Sequence, residues 1–529
     1  MPSGAFGGLD RLRSLSINSE HSSFLAVEAG GLSGLPNLED LNLGGNYLRS
    51  LPSGELCNLP RLRTLNVSGN EIASLSQLGL GGGRGGECME RLQVLDLSHN
   101  EISELKGGEA AIRSDSLMEL VLSSNYISEV HEAALAGLSR LELLDLSDNQ
   151  LTSLPERLFR GNGDLLVLSL ANNSVAKLDA SAFDRSHKLE VLDLSGNELT
   201  AESLHFAHLR SLTEIGLSRN RIAGRVQADK AFPRSLEALR VDNNMAAELK
   251  GLDGLPNLKE LDASGNRMAA VPETLPASLT HLHLSGNRIQ EVAASSISNA
   301  SSVLVLDLSD NQLTAVPGAL GSLQVLQTLD LSGNVVGSLE GASILSLRQL
   351  WRLQLRGNRI RQVKRGLFDE LRSLQILDLS SNGLGDLERG SFDACEQLRA
   401  VRLDANDLES VDGLFADLER LLWLNVSQNS IRAFDYAMVP RSLQWLDVSH
   451  NRISELGDYY DLAGELSLTT VEAGFNRIRI LGPNSVPDGV ETLGLNDNAI
   501  EQIVPYTFFK KTRLAKVDLT VNNLKTIDR

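Results

Sequence analysis

Leu92-Gln-Val-Leu-Asp-Leu-Ser-His-Asn100 decides the fold, because its spelling returns at Leu141-Glu-Leu-Leu-Asp-Leu-Ser-Asp-Asn149, Leu189-Glu-Val-Leu-Asp-Leu-Ser-Gly-Asn197 and Leu374-Gln-Ile-Leu-Asp-Leu-Ser-Ser-Asn382. Each reads LxxLxLxxN, and the closing Asn recurs from Asn46 to Asn522 at a mean spacing near 24, which gives twenty-one turns. A degenerate turn, Leu12-Arg-Ser-Leu-Ser-Ile17, precedes them, with Glu20 in place of the Asn. Self-similarity at such a period means an array of stacked units.

Within LxLxx the apolar residues alternate, as a short strand buried on one face requires. Each repeat therefore supplies one strand to a parallel sheet, and the residues between the leucines face solvent. The Asn follows where the chain turns inward, and its amide can satisfy backbone groups buried without partners. Asn100, Asn149, Asn197, Asn311, Asn382 and Asn451 are members of this expected ladder. Ala182-Phe183, Leu367-Phe368 and Ser391-Phe392 supply larger apolar plugs to the returning side.

The reading is an α/β leucine-rich-repeat solenoid, a horseshoe. It has one short parallel strand per repeat on the concave face and an irregular, 3-10 or short helical convex side. Residues 1–529 form a single domain of about 22 repeats, with the degenerate first repeat at 1–33 and a loop insertion at 74–90. The insertion belongs to the one long turn, thirty residues from Asn70 to Asn100. It holds Gly79-Leu-Gly-Gly-Gly-Arg-Gly-Gly86, and although Gly81, Gly83 and Gly86 spell GxGxxG, the stretch precedes a strand and opens no helix, so a plain loop is expected. Cys88 lies in this excursion and Cys57 one turn earlier, which suits a disulfide pinning the loop. Cys395 reads as a small buried apolar residue.

The composition is that of a folded protein, 42% hydrophobic and 22% charged, and its 4% aromatic content suits a core of repeated small aliphatic side chains. Lys plus Arg number 49 against 68 Asp plus Glu, a formal charge of −19 that argues against a nucleic-acid partner and favours a cationic or neutral protein. No apolar window reaches the length of a membrane span, and Met1-Pro2-Ser3-Gly4-Ala5-Phe6 is not a signal peptide. The end at Thr526-Ile-Asp-Arg529 falls as a repeat turns its corner, so the chain reads as a piece of a longer protein without terminal caps.

No HExxH, Cys-x-x-Cys, GxSxG or P-loop occurs, so metal, nucleophilic and phosphoryl chemistry lack their parts; no enzyme, metal site or cofactor is expected. His281 and His283 alternate on one strand and read as a solvent-facing pair. Two features of the concave face stand out. The fifth strand position is Asp in nine repeats, including Asp307, Asp330, Asp378 and Asp447, an acidic stripe that is either the repeat's preferred spelling or a steering field for a basic ligand. Trp351, Trp423 and Trp445 sit at outward strand positions, the last two equivalent in adjacent repeats, and exposed aromatics of this size serve as binding anchors or stiffen the sheet by stacking. Sequons occur at Asn66, Asn172, Asn299 and Asn425. Asn425 points the same way as Trp423, so a glycan there would shade the aromatic pair.

The 24-residue spelling with its Ala-Phe plugs resembles the extracellular leucine-rich repeats of Toll-like receptors. Gly413-Leu-Phe415, Trp423-Leu-Asn-Val-Ser427, Phe434-Asp-Tyr436, Ser442-Leu-Gln-Trp-Leu-Asp447, Gly464-Glu-Leu-Ser-Leu468 and Pro505-Tyr-Thr-Phe-Phe-Lys-Lys511 are similar to the long arthropod Toll receptors of the Tollo and 18-wheeler group. Cys57 and Cys88 fall where that group carries a cysteine pair around a looped-out repeat. The resemblance implies the ectodomain of a single-pass receptor on the extracellular face of the plasma membrane. Such an ectodomain binds a cystine-knot cytokine-like or cell-surface protein and forms homo- or heterodimers. The membrane span and TIR domain of that pattern are missing from these residues. A cell-adhesion protein without a signalling domain is the alternative, and a cytosolic repeat scaffold a third reading.

Overall fold

Alternation of buried and open side chains, repeated at a fixed distance in sequence, lets each strand pair with the next in the same register. The computed structural model describes residues 1–18, 24–80, 90–108, 111–462 and 464–525. They form two compact units, Met1–Arg267 and Met268–Arg529. In the first, three-residue strands run from Ser14–Ser16 to Glu260–Asp262; in the second, from His281–His283 to Lys516–Asp518.

Neighbouring strands pair in parallel, leucine opposite leucine. Leu95, Leu120, Leu144, Leu168 and Leu192 follow one another across the first unit's sheet, and Leu306, Leu329, Leu353 and Leu377 across the second's. All are buried. A one-residue slip would turn every one of them to solvent, so the pattern fixes the register. Each leucine removed from water contributes roughly 1.5–3 kcal/mol, and the stability of such an array is a sum of these local terms.

The return path is built from short pieces. It contains 3-10 turns such as Glu55–Asn58 and Ala180–Phe183, the four-residue helices Ala228–Ala231 and Ala294–Ile297, and two-stranded parallel ribbons. Ala223–Gln227 with Met245–Lys250 is the longest ribbon and carries a register shift between Gly224 and Arg225. Beneath these pieces the expected aromatic plugs form spines. Phe159, Phe183, Phe206 and Phe232 succeed one another with ring centroids 5.7, 6.3 and 6.4 Å apart. Phe368, Phe392 and Phe415 do the same at 5.9 and 5.8 Å. Within these two runs one ring per repeat fills the outer part of the core, and Leu56, Ile297, Leu320 and Ile344 take the equivalent place in other repeats.

Two expectations meet the edge of the described chain. Glu20 lies outside the described residues, and so do Cys88 and the glycine tract from Gly81 within the insertion at 74–90; the part that is described holds a 3-10 turn at Leu75–Leu78. Cys57 is disulfide-bonded, while Cys395 is a buried free thiol.

Candidate functional site: the open face of the sheet

Three columns of side chains run across the strands, and each has its own physical cause. The first is the asparagine ladder. Asn311 donates from Nδ2 to the carbonyls of Leu284 at 2.9 Å, Leu308 at 3.2 Å and Ser309 at 2.9 Å, and its Oδ1 accepts the N–H of Ile289 at 2.9 Å. Asn100, Asn149, Asn197, Asn382 and Asn451 make the same set of bonds in their own repeats, each joining its turn to the preceding one. Each leucine carbonyl is shared by two successive ladder amides, Leu284 by Asn287 and Asn311 and Leu308 by Asn311 and Asn334, while the N–H of Ile289 depends on Asn311 alone, so the amide is a structural requirement of the corner.

The residue just before each ladder Asn is left-handed. Gly286, Gly333 and Gly357 meet that demand without a Cβ, but His450 and Phe475 hold φ values of 53° and 55°. An L side chain there costs about 1–2 kcal/mol relative to glycine. His450 and Phe475 stack with centroids 4.1 Å apart and planes 8° from parallel, and Phe475 stays 46% exposed.

The aspartate column has a local explanation. Oδ1 of Asp307, Asp330, Asp378 and Asp447 accepts the backbone N–H two residues on, from Ser309, Ser332, Ser380 and Ser449 at 2.8–2.9 Å. The carboxylate thus closes the turn that ends the strand, as Asn425 does by accepting from the N–H of Ser427 at 2.9 Å. Asp378 is buried, with Arg402 3.7 Å away, and Arg402 also pairs with Asp404 at 3.0 Å. Asp330 stands opposite Asp307 in register. Burial, and then the charge of Asp307, push its carboxyl above the ordinary value against the pull of the Ser332 donors.

The tryptophans divide. Trp423 and Trp445 are register partners in adjacent strands, stacked with centroids 4.5 Å apart and planes 4° from parallel. Both remain half-buried on an open face. Trp351 lies one residue before the strand Arg352–Gln354, three strands from Trp423 and so roughly 14 Å away along the sheet. It does not join the pair. The His450 and Phe475 stack was not singled out from sequence, although its signal was there: rings directly before both Asn451 and Asn476, in adjacent repeats, where most other turns carry glycine or a small polar residue.

Of the sequons, Asn66 and Asn425 lie within strands, and Oδ1 of Asn66 accepts both the N–H and the hydroxyl of Ser68. Asn172 is left-handed and exposed and donates to Asp148 at 3.0 Å. Asn299 is exposed just past the helix Ala294–Ile297. Among the described residues no cluster of His, Cys, Asp or Glu could hold a metal ion, and no helix is long and apolar enough to cross a membrane.

This geometry agrees with the family comparison, in which the leucine rich repeat profile matches residues 10–72, 115–175, 163–222, 277–336 and 348–408. The chain belongs to the leucine-rich-repeat family. It is 39% identical to Toll-like receptor 7 of Drosophila melanogaster over 544 aligned residues, which cover 100% of this chain and 38% of that receptor. It is also 28% identical to mouse podocan, over 63% of this chain and 54% of podocan. The chain thus spans about half or less of the length of these relatives. Among solved structures, a leucine-rich-repeat protein of Leptospira interrogans superposes with a TM-score of 0.57 at 25% identity, covering 75% of this chain and 91% of that one. A plant peptide hormone receptor, RGFR1 in complex with RGF2, does so with a TM-score of 0.60 at 22% identity, covering 98% and 87%. The last likeness concerns the fold. With this family and these relatives, the leucine-rich-repeat chain is a non-enzymatic protein.

Proposed function

We propose that this leucine-rich-repeat chain is the recognition part of a Toll-like cell-surface receptor, facing the extracellular side and binding a protein partner on the open face of its sheet. The observation that carries the reading is the 39% identity to Toll-like receptor 7, which extends over the whole chain. The stacked pair Trp423 and Trp445 marks the place on the face where a partner gains most, because large flat aromatics bury much area at little entropic cost. Asp307, Asp330 and Asp447 add negative charge along the same face, and Trp351 is a second, separate anchor. The finer form of the proposal is a cystine-knot cytokine-like ligand, a receptor dimer, and membership of the Tollo and 18-wheeler group; it rests on the motifs of the closing third. Proposed with it are a bridge from Cys57 to Cys88 and glycans at the exposed sequons.

The test is secretion of the chain from insect cells, followed by titration against a panel of secreted and cell-surface proteins. A partner bound by the wild type and weakened about 30-fold by Trp423→Ala with Trp445→Ala, equivalent to about 2 kcal/mol, is the expected result. Partners bound equally well by the double variant would remove the tryptophan face, and a chain that enters the secretory pathway yet leaves every sequon bare and all cysteines reduced would remove the receptor reading.

A further inference from the structure

The second unit concentrates open aromatic side chains in three consecutive repeats. Along one strand the order is Trp445, Asp447, His450; along the next it is Thr470, Glu472, Phe475. Trp445 stacks on Trp423 of the preceding strand, and His450 stacks on Phe475 of the following one. Two flat aromatic plates thus lie toward the two ends of these strands, and two carboxylates in register with each other lie between them.

Neither carboxylate is held in an ion pair, although the charge of Lys516, two strands on, pulls on Glu472. Arg402, two strands before Asp447 in the same column, is already engaged by Asp378 and Asp404. No Lys or Arg forms an ion pair with Asp447 or Glu472 among the described residues. Like charges opposite one another on a sheet are unfavourable, and burial together with the charge of Asp447 pushes the Glu472 carboxyl above its ordinary value. The next strand offers Gly494 in this column, and a Cβ there would collide with Glu472 Oε2, so the carboxylate occupies the space a side chain would fill. Backbone preference opposes the plates as well: the left-handed position favours glycine, yet here it carries an imidazole and a phenyl ring.

We infer that this face receives an arginine-bearing segment of a protein partner, its guanidinium seated against Asp447 and Glu472 and flanked by the aromatic plates. The inference rests on the reading of the sheet face as the binding surface and names the chemistry of what docks there. Guanidinium suits the place better than ammonium, because it stacks on aromatic faces and is more weakly hydrated, so less is lost when it leaves water. The charge complementarity commits the site to a basic segment; an acidic one would add to repulsion already present.

The experiment uses the full chain, with tetra-arginine amide, tetralysine amide and tetraglutamate as probes, followed through tryptophan emission. Tetra-arginine is expected to change the emission and to bind several-fold tighter than tetralysine, with tetraglutamate silent. Asp447→Asn with Glu472→Gln should weaken tetra-arginine at least tenfold. This variant keeps the turn, since Asn425 already makes the equivalent bond to Ser427. Asp145→Asn with Asp193→Asn, the same column in the first unit, controls for the overall negative charge and should leave binding unchanged. Equal loss in both variants, or arginine binding untouched by the first, overturns the inference. If tetra-arginine fails while a natural partner is still lost by Trp423→Ala with Trp445→Ala, the surface stands as the binding face and the basic anchor alone is wrong.

Discussion

The hydroxyl of Tyr436 donates a 3.0 Å hydrogen bond to the carbonyl of Ser485, which lies 49 residues further along the chain. A whole repeat lies between the two, so the phenol spans one turn of the coil from inside. Tyr436 is fully buried with Phe434 edge-on to its ring at 5.7 Å, and it ties three consecutive turns into one unit. Burial, and then the nearby carboxylates of Asp458 and Asp435, push its ionisation above the ordinary value of 10. A raised folded value means the native state favours the protonated phenol. Its contribution is complete below about pH 10 and is lost as pH rises above the unfolded value. Tyr436→Phe should cost about 1 kcal/mol at neutral pH, through the unpaired Ser485 carbonyl. It should also remove part of the alkaline destabilisation seen in denaturant titrations between pH 9 and about pH 11. Parallel pH profiles for the two proteins would exclude the phenol as the alkaline trigger.

The ladder and the aspartate column should respond differently to substitution. Asn311→Ala leaves the N–H of Ile289 without its acceptor, while the three carbonyls keep a second donor from Asn287, Asn334 and the N–H of Gly286, so a loss of about 1–3 kcal/mol is expected. Because each repeat touches only its neighbours, amide exchange should accelerate first around residues 284–334. Asp307→Asn keeps the bond from Ser309 and removes the like charge facing Asp330. It should be neutral or slightly stabilising at pH 7. The raised Asp330 carboxyl gives up native stability as pH climbs past its folded value, so the benefit of Asp307→Asn should vanish below its ordinary value of 3.8. Strong destabilisation by Asp307→Asn at neutral pH would show that the carboxylate does more than close the turn.

How much of this was legible beforehand depends on the length scale of the cause. The strands and the aromatic plugs follow from alternation and spacing within a single repeat, and the plugs emerge as continuous spines from Phe159 to Phe232 and from Phe368 to Phe415. The stacking of Trp423 on Trp445 follows equally from their equal position in neighbouring repeats. Trp351 was already set apart by its repeat, three strands from Trp423, and the structure adds only that it stands one residue before its strand. The aspartate stripe looked like an open choice between spelling and charge, and only the Oδ1 contacts to the following serines reveal the turn it closes. Tyr436 left no periodic trace, because a bond that skips a repeat depends on three turns at once.

Glycan placement should follow the surroundings of each sequon. Asn425 sits within a strand between Arg402 and Asp447, with Oδ1 held by the N–H of Ser427. A sugar at this place must rise between neighbours about 4.8 Å away on either side. Asn299 is exposed on a turn and has open solvent for the glycan. In glycopeptide mass spectrometry of the secreted protein, Asn299 is therefore expected to be occupied and Asn425 bare. Full occupancy of Asn425 would mean that the sheet face is shielded there, and the tryptophan pair would be a poor anchor for a protein partner.

Cys395 offers a reactivity test of the core. Its sulfur lies 3.7 Å from the carbonyl of Phe368, beneath the aromatic spine, and it is fully buried. Burial, followed by the charge of Asp369, pushes the thiol up to about 12. The thiolate is the reactive species, so at pH 8 the native protein should resist iodoacetamide for hours, and denaturant should release one labelled cysteine per chain. Because that site opens only when its repeat opens, the labelling rate at intermediate denaturant reports the local stability of the turns around Phe368 and Phe392. Replacing Phe392 with Leu leaves part of the spine empty and should cost about 1–2 kcal/mol. Labelling of Cys395 should then begin at lower denaturant. Equal labelling in the native wild type and in the variant would mean that the thiol reaches solvent by a route the packed spine does not control.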